Sequence, residues 1–250
     1  MLLLKYLLCY AESSGLQDIL KMETTQEEEF ASLLRKQMGG YNVNATNFIA
    51  FCRKRLFLEA KEIDWEANVW YVEKLNIAPE RYSLSSTIES FSFLDIQLED
   101  NRKMLQEYLK YLFTVTNLNL GTIRIKQTYI KEFLKYLEEQ EKAITRINVN
   151  SVKEYFEKLS TQRISPQSYN NKIREVITFL QYLQVTEHID YFKVPVFFYK
   201  KKSYPKDHEI RDLDQKLDLL MLHLSEFPEQ LRIMSLILLY TGIDKGKLFL

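Results

Sequence analysis

The row Tyr169, Ile173, Val176, Leu180 and Leu183 constrains this chain more than any other feature. Its steps of four, three, four and three residues place all five side chains on one stripe of an α-helix. Ser165-Pro166 stands just ahead, a serine to cap the first turn and a proline whose φ is already helical. A helix over 166–184 is therefore expected, and its stripe must be buried against other elements. Three more segments carry the same signature. Residues 99–116 offer Met104, Leu105, Tyr108, Leu109 and Leu112. Residues 119–140, capped by Asn119, offer Ile123, Ile130, Leu134 and Leu137, with Phe133 beside them. Residues 149–161, capped by Asn148 or Asn150, offer Val152, Tyr155, Phe156 and Leu159. Six glycines and five prolines in 250 residues are too few for the turns of a sandwich or an α/β fold. The expected class is mainly α.

The remainder is organised around these four helices. The start, MLLLKYLLCYAESS, is interrupted by Lys5 and reads as an amphipathic helix rather than a leader. A second helix begins at Thr24 or Thr25 with an acidic first turn and ends at Gly39-Gly40. A third begins at Asn44 or Thr46 and runs through Phe48, Phe51 and Leu56, with Arg53-Lys54-Arg55 as an exposed basic triplet. Trp65 and Trp70 read as core or interface anchors, and residues 82–96 as holding a short extended piece. The pattern breaks over 186–206, a linker with Pro195 and Lys200-Lys201-Lys202 that ends near Pro205. Two helices follow. The first, 207–225, is acidic, with Leu213, Leu217, Leu220 and His223. The second holds QLRIMSLILLY, is apolar nearly all round and is expected to be buried. The organisation is thus an N-terminal helical region (1–98), a four-helix domain (99–185), a basic linker (186–206) and a C-terminal helix pair (207–250).

Charge is segregated along this plan. The chain carries 34 basic and 34 acidic residues, a formal net charge of zero. Residues 118–206 hold 16 basic against 9 acidic groups, whereas 1–117 hold 13 against 17 and 207–250 hold 5 against 8. A basic middle attracts polyanions. Arg124, Thr128, Lys131 and Lys135 share one side of their helix, with Lys126 at its edge. Gln167, Asn171 and Arg174 share the polar side of the last helix, with Asn170 and Lys172 at its edges. Arginine and lysine neutralise phosphates, and Asn or Gln can read adenine edges. These residues, with Lys200, Lys201 and Lys202 following a phosphate strand, are the candidate DNA contacts. Other chemistries fall away. Cys9 and Cys52 make no disulfide framework, and His188, His208 and His223 have no metal-ligand spacing, so neither metal nor cofactor is expected. There is no glycine-rich phosphate loop for a small-molecule substrate, and Asp214 and Asp218 read as solvated carboxylates on a helix face. No run approaches the ~18 apolar residues of a membrane span. A cytoplasmic setting, the cytosol of a bacterium, is expected.

Four helices, a linker, an acidic helix and an apolar helix ending in Tyr240-Thr241-Gly242 resemble the tyrosine recombinase (phage integrase) family. The segment 99–185 looks like its SAM-like core-binding domain, with Thr122, Phe133-Leu134 and Ser165-Pro166 at family positions. PEQLRIMSLILLYTG, from Pro228 to Gly242, is the most specific match and is similar to the opening of the catalytic domain. DWEANVWYVEKL is more loosely similar to large transposon-encoded members. The resemblance implies a DNA-binding portion of an integrase or transposase. Its partners would be double-stranded DNA and other recombinase protomers on it. It also implies a departure. Asp244 stands where the family's first catalytic arginine is expected, Lys247 stands where its glutamate is expected, and no residue before Leu250 supplies the nucleophilic tyrosine's motif. A chain inactive by itself, truncated at the start of the catalytic domain, is the expectation. The alternative is a helical protein–protein interaction module with no nucleic-acid role.

Overall fold

The computed structural model describes residues 2–38, 43–82, 87–202 and 214–242, without the side chains of 38, 43–46, 214 and 215. The expected stop at Gly39-Gly40, the cap at Asn44 or Thr46, the linker end at Pro205, Leu213, His208, the Asp214 half of the carboxylate pair, Asp244 and Lys247 lie outside it. The fold is mainly α. In chain order come α1 (Leu2–Ser14), α2 (Thr24–Met38), α3 (Val43–Glu59), β1 (Val69–Tyr71), β2 (Ser90–Ser92), α4 (Glu99–Val115), α5 (Leu120–Glu139), α6 (Val149–Ser160), α7 (Pro166–Val185), α8 (Asp214–His223) and α9 (Glu229–Thr241). The described residues fall into two compact units, one extending through Lys201 and one containing α8 and α9.

The helix starts follow their local chemistry. Asn119 Oδ1 accepts from the Thr122 amide at 2.7 Å, Asn148 Oδ1 from Ser151 at 3.1 Å, and Ser165 Oγ from Ser168 at 3.1 Å. Each bond satisfies one of the orphan donors of a first turn. In a glycine-poor chain the stops fall to other residues. Glu141 and Glu187 take left-handed φ values of 53° and 59° just past α5 and α7. The chain then folds back, with the Lys142 amide donating to the Leu137 carbonyl and that of His188 to Leu183, each at 2.9 Å.

The expected stripes of α4 to α7 are all buried, but they do not form a core of their own. A single apolar cluster runs from Leu20 and Phe57 through both strands and all four helices to Ile189, crossing residue 98 without a break. Its junction is aromatic. β1 and β2 pair antiparallel with Trp70 opposite Phe91. Trp70 meets Phe93 at 4.7 Å, and Phe91 meets Phe113 of α4 at 4.9 Å, both edge-on. Polar ties close the seam. The Arg81 guanidinium donates to the carbonyls of Leu118 (2.8 Å), Phe113 (2.8 Å) and Leu112 (3.2 Å), capping the end of α4. At the other end Glu138 of α5 accepts from the Gln97 and Leu98 amides at 3.0 and 2.9 Å.

A second cluster joins α1, α2 and α3 through Leu7, Tyr10, Phe30, Leu34 and Ile49. The buried face of α3 is Ile49, Arg53 and Phe57, whereas Phe51 and Leu56 are exposed. The basic triplet is therefore no surface patch. Arg53 is buried, donating to Met22 O at 3.0 Å and pairing with Glu27 at 2.5 Å. Lys54 pairs with Glu73 and Arg55 with Glu59. The α9 expectation also fails. No residue of α9 is buried, and Leu231, Ile233, Ile237 and Tyr240 are exposed. Two short helices offer one another too little area to cover an all-apolar surface.

Arg81→Met should lower stability by about 2–3 kcal/mol, the range for losing charged hydrogen bonds to buried carbonyls. A urea titration followed by circular dichroism measures it.

Candidate nucleic-acid interface

The cations of α5 and α7 do lie on shared faces, as the spacing requires, but they do not form an open basic surface. Carboxylates from neighbouring elements stand opposite them. Lys126 of α5 pairs with the buried Glu175 of α7. Arg174 closes on the same carboxylate, with Nε at 3.0 Å and Nη2 at 2.9 Å from Oε1. Lys172 of α7 reaches Glu132 of α5 at 2.5 Å. Lys131 and Lys135 clasp Asp95, in the turn after β2, at 2.5 and 2.8 Å. Arg124 donates to the Ser90 carbonyl and to Gln127 Oε1, and its guanidinium lies 4.3 Å from the Phe91 ring centroid. Lys126, Lys131 and Lys172 keep only 14%, 14% and 12% of their side-chain surface exposed. Arg124, Lys126, Lys131 and Lys172 thus tie α5 to α7 and to the β-hairpin.

The local electrostatics agree with that role. Burial pushes the Lys131 ammonium below the usual lysine range, and Asp95 only partly opposes it. Burial alone would raise the Asp95 carboxyl. The hydrogen bonds and charges of Lys131 and Lys135 outweigh that and hold it below the usual carboxylate range. Arg124 is likewise lowered by burial.

The remaining candidates are of two kinds. Asn170 is a clamp rather than a reader of bases. Its amide brackets Lys201, donating to the backbone carbonyl at 2.7 Å and accepting from the backbone amide at 2.9 Å. Thr128 is exposed but spends its hydroxyl proton on the Arg124 carbonyl at 2.9 Å. Gln167 is exposed at the start of α7, Asn171 is half-buried, and Arg174 stays 64% exposed despite Glu175. Lys200 and Lys202 are exposed. Lys201 lies over the Tyr169 ring at 4.3 Å and donates through Nζ to the Ser160 carbonyl at 3.0 Å. That contact brings the basic run to the loop between α6 and α7. Exposed Arg163 occupies the same loop, two residues before the Ser165 cap. Arg163 escaped the helical-face reasoning because it belongs to no helix; its adjacency to the cap was the available signal. Solvent-facing positive charge thus collects at the N-terminal end of α7, where the helix dipole has the same sign.

Among the described residues no group of three or more His, Cys, Asp or Glu side chains could hold a metal ion, and no helix is long and apolar enough to cross a membrane.

Set on this geometry, the comparison with known families is specific. Residues 105–191 match the family described as "Phage integrase, N-terminal SAM-like domain". The matched stretch is roughly a third of the chain and takes in most of α4 and all of α5, α6 and α7. It supports kinship with the phage integrase family and, at that general level, a role in DNA recombination. No curated protein and no solved structure matches the chain.

Two outcomes follow. Glu175→Gln leaves Lys126 without its counter-charge and should cost about 3 kcal/mol, while adding Lys126→Met should recover most of the loss. Chemical denaturation of the two single variants and the double variant measures the coupling. For Asp95, whose folded pKa is depressed, the stabilisation is complete at neutral pH. It fades as pH drops past the ordinary aspartate value of about 3.9 and vanishes below the folded value. The melting temperature of Asp95→Asn should therefore lie below wild type at pH 7 and converge on it in acid.

Proposed function

We propose that this chain holds double-stranded DNA for a site-specific tyrosine recombinase, in integration and recombination, alongside other recombinase protomers on the same DNA. The observation that carries this reading is the family match to 105–191, coincident with a buried four-helix scaffold. The excess of basic over acidic groups in residues 118–206 supports it. The grip is at the N-terminal end of α7. Arg163, Arg174, Lys200 and Lys201 neutralise phosphates, and Gln167 and Asn171 face the groove. Arg124, Lys126, Lys131 and Lys172 serve by fixing the angle between α5, α7 and the hairpin. The chain's part is to hold DNA rather than to cut it, since Asp244 would repel the phosphate that an arginine there would neutralise.

One observation favours the alternative of a protein-interaction module: Asp95, Glu132 and Glu175 already neutralise the cations of α5 and α7. Titrating the chain with duplex across a salt series separates the two. DNA holding requires the logarithm of affinity to fall linearly with the logarithm of salt, because phosphate contacts release counterions. Replacing both Arg163 and Lys200 by alanine should make that slope shallower by about two. Absent or salt-insensitive binding would overturn the proposal, and an unchanged slope in the double variant would remove these residues from it.

A further inference from the structure

The segment 190–201 is an ordered strap rather than a free linker. Gln184 of α7 donates to the Phe192 carbonyl at 2.9 Å near its start, and Asn170 clamps Lys201 at its end. Between these pins its residues alternate. Phe192, Val194, Val196 and Tyr199 pack on the main core, and Tyr199 meets Phe156 edge-on at 5.3 Å. The others from Tyr191 to Lys200 are exposed: Tyr191, Lys193, Pro195, Phe197, Phe198 and Lys200. Three of these are aromatic and almost fully exposed, Tyr191 at 82%, Phe197 at 84% and Phe198 at 82%.

Single exposed apolar side chains need no explanation. Here three rings are exposed along one pinned strap, and two of them meet each other. After the exposed Asp190 that opens the strap, the chain holds four lysines and no further acidic residue through Lys202. Rings alternating with cations suit a nucleic-acid strand: the lysines meet phosphates and each ring offers a stacking face. Anionic membrane also attracts cations and rings. It is typically met by the apolar side of an amphipathic helix, whereas the two phenylalanines here project from a four-residue 3₁₀ turn, Val196–Tyr199.

We infer that Phe197 and Phe198 are a wedge for DNA whose bases are unstacked or unpaired. The inference rests on the DNA-holding reading above and adds what the strap recognises. The ring centroids are 6.0 Å apart with planes at 77°. At that angle only one ring at a time can lie flat on a base, so one stacks and the other braces it. In an intact duplex the base faces are covered. A ring reaches them only by opening a step, at a cost of a few kcal/mol that an existing gap removes. Preference for interrupted DNA is the consequence.

The test uses the full chain and two 20-base-pair duplexes, one intact and one with 2-aminopurine opposite an abasic site. Wild type should bind the interrupted duplex about tenfold more tightly, the order of one base–aromatic stack, and quench the 2-aminopurine. F197A/F198A should lose the preference and the quenching while binding intact duplex within about twofold of wild type. F197W/F198W should retain both, and circular dichroism should show all three folded. If wild type binds both duplexes equally, or the alanine variant keeps the preference, the wedge is wrong while DNA holding stands. If wild type binds neither, both readings fall. Loss of binding to phosphatidylserine vesicles in F197A/F198A, without change on DNA, would assign the rings to a membrane. A lowered melting temperature with unchanged DNA preference would assign them to packing within the chain and overturn the wedge.

Discussion

The edge-on aromatic contact between the β-hairpin and α4 is the interaction on which the larger unit depends. Two strands of three residues cannot stand alone in water. Trp70, Phe91 and Phe93 become buried only because Phe113 and the α4 and α5 stripes receive them. The helices gain in return. Arg81, in the connection from β1 to β2, caps the last carbonyls of α4, and Ser90 and Ser92 present carbonyls to Arg124 and Gln127. The four-helix domain is thus continuous with what precedes it.

That continuity explains what the basic residues do. Where a helix is packed on both sides, a lysine on its polar side still meets a neighbour. Burial of an unpaired ammonium is costly, so carboxylates stand opposite Lys126, Lys131 and Lys172. Net charge survives at solvent where packing ends, in the loop before α7 and along the strap. A segment can therefore be strongly basic in sequence and present its charge at one end only. The strap has the same logic: pinned by Gln184 and Asn170 and anchored by alternate side chains, it presents its remaining rings and lysines to solvent.

Much of this was legible beforehand. Helix periodicity, caps and scarce glycine yielded α4 to α7 within a residue or so at most ends, together with nearly all of their buried stripes, because a stripe and a cap are local properties. The extended piece within residues 82–96 was legible as β2 for the same reason. The candidate site was legible in composition and illegible in detail. Spacing puts Arg124 and Lys131 on one face of α5, but nothing near them in sequence reveals that Asp95 and the Ser90 carbonyl will lie against that face.

The chain's sequence alone determined the mainly helical class, the four central helices, their caps and the basic bias of the middle. Each follows from residues within a few positions of one another. Tertiary structure decided the fate of each charge: the buried ties of Arg53, Arg81 and Lys126, and the exposed places of Arg163, Lys200 and the strap phenylalanines. Whether a side chain ends in solvent or beside a carboxylate is set by elements tens of residues away, and only packing brings those together.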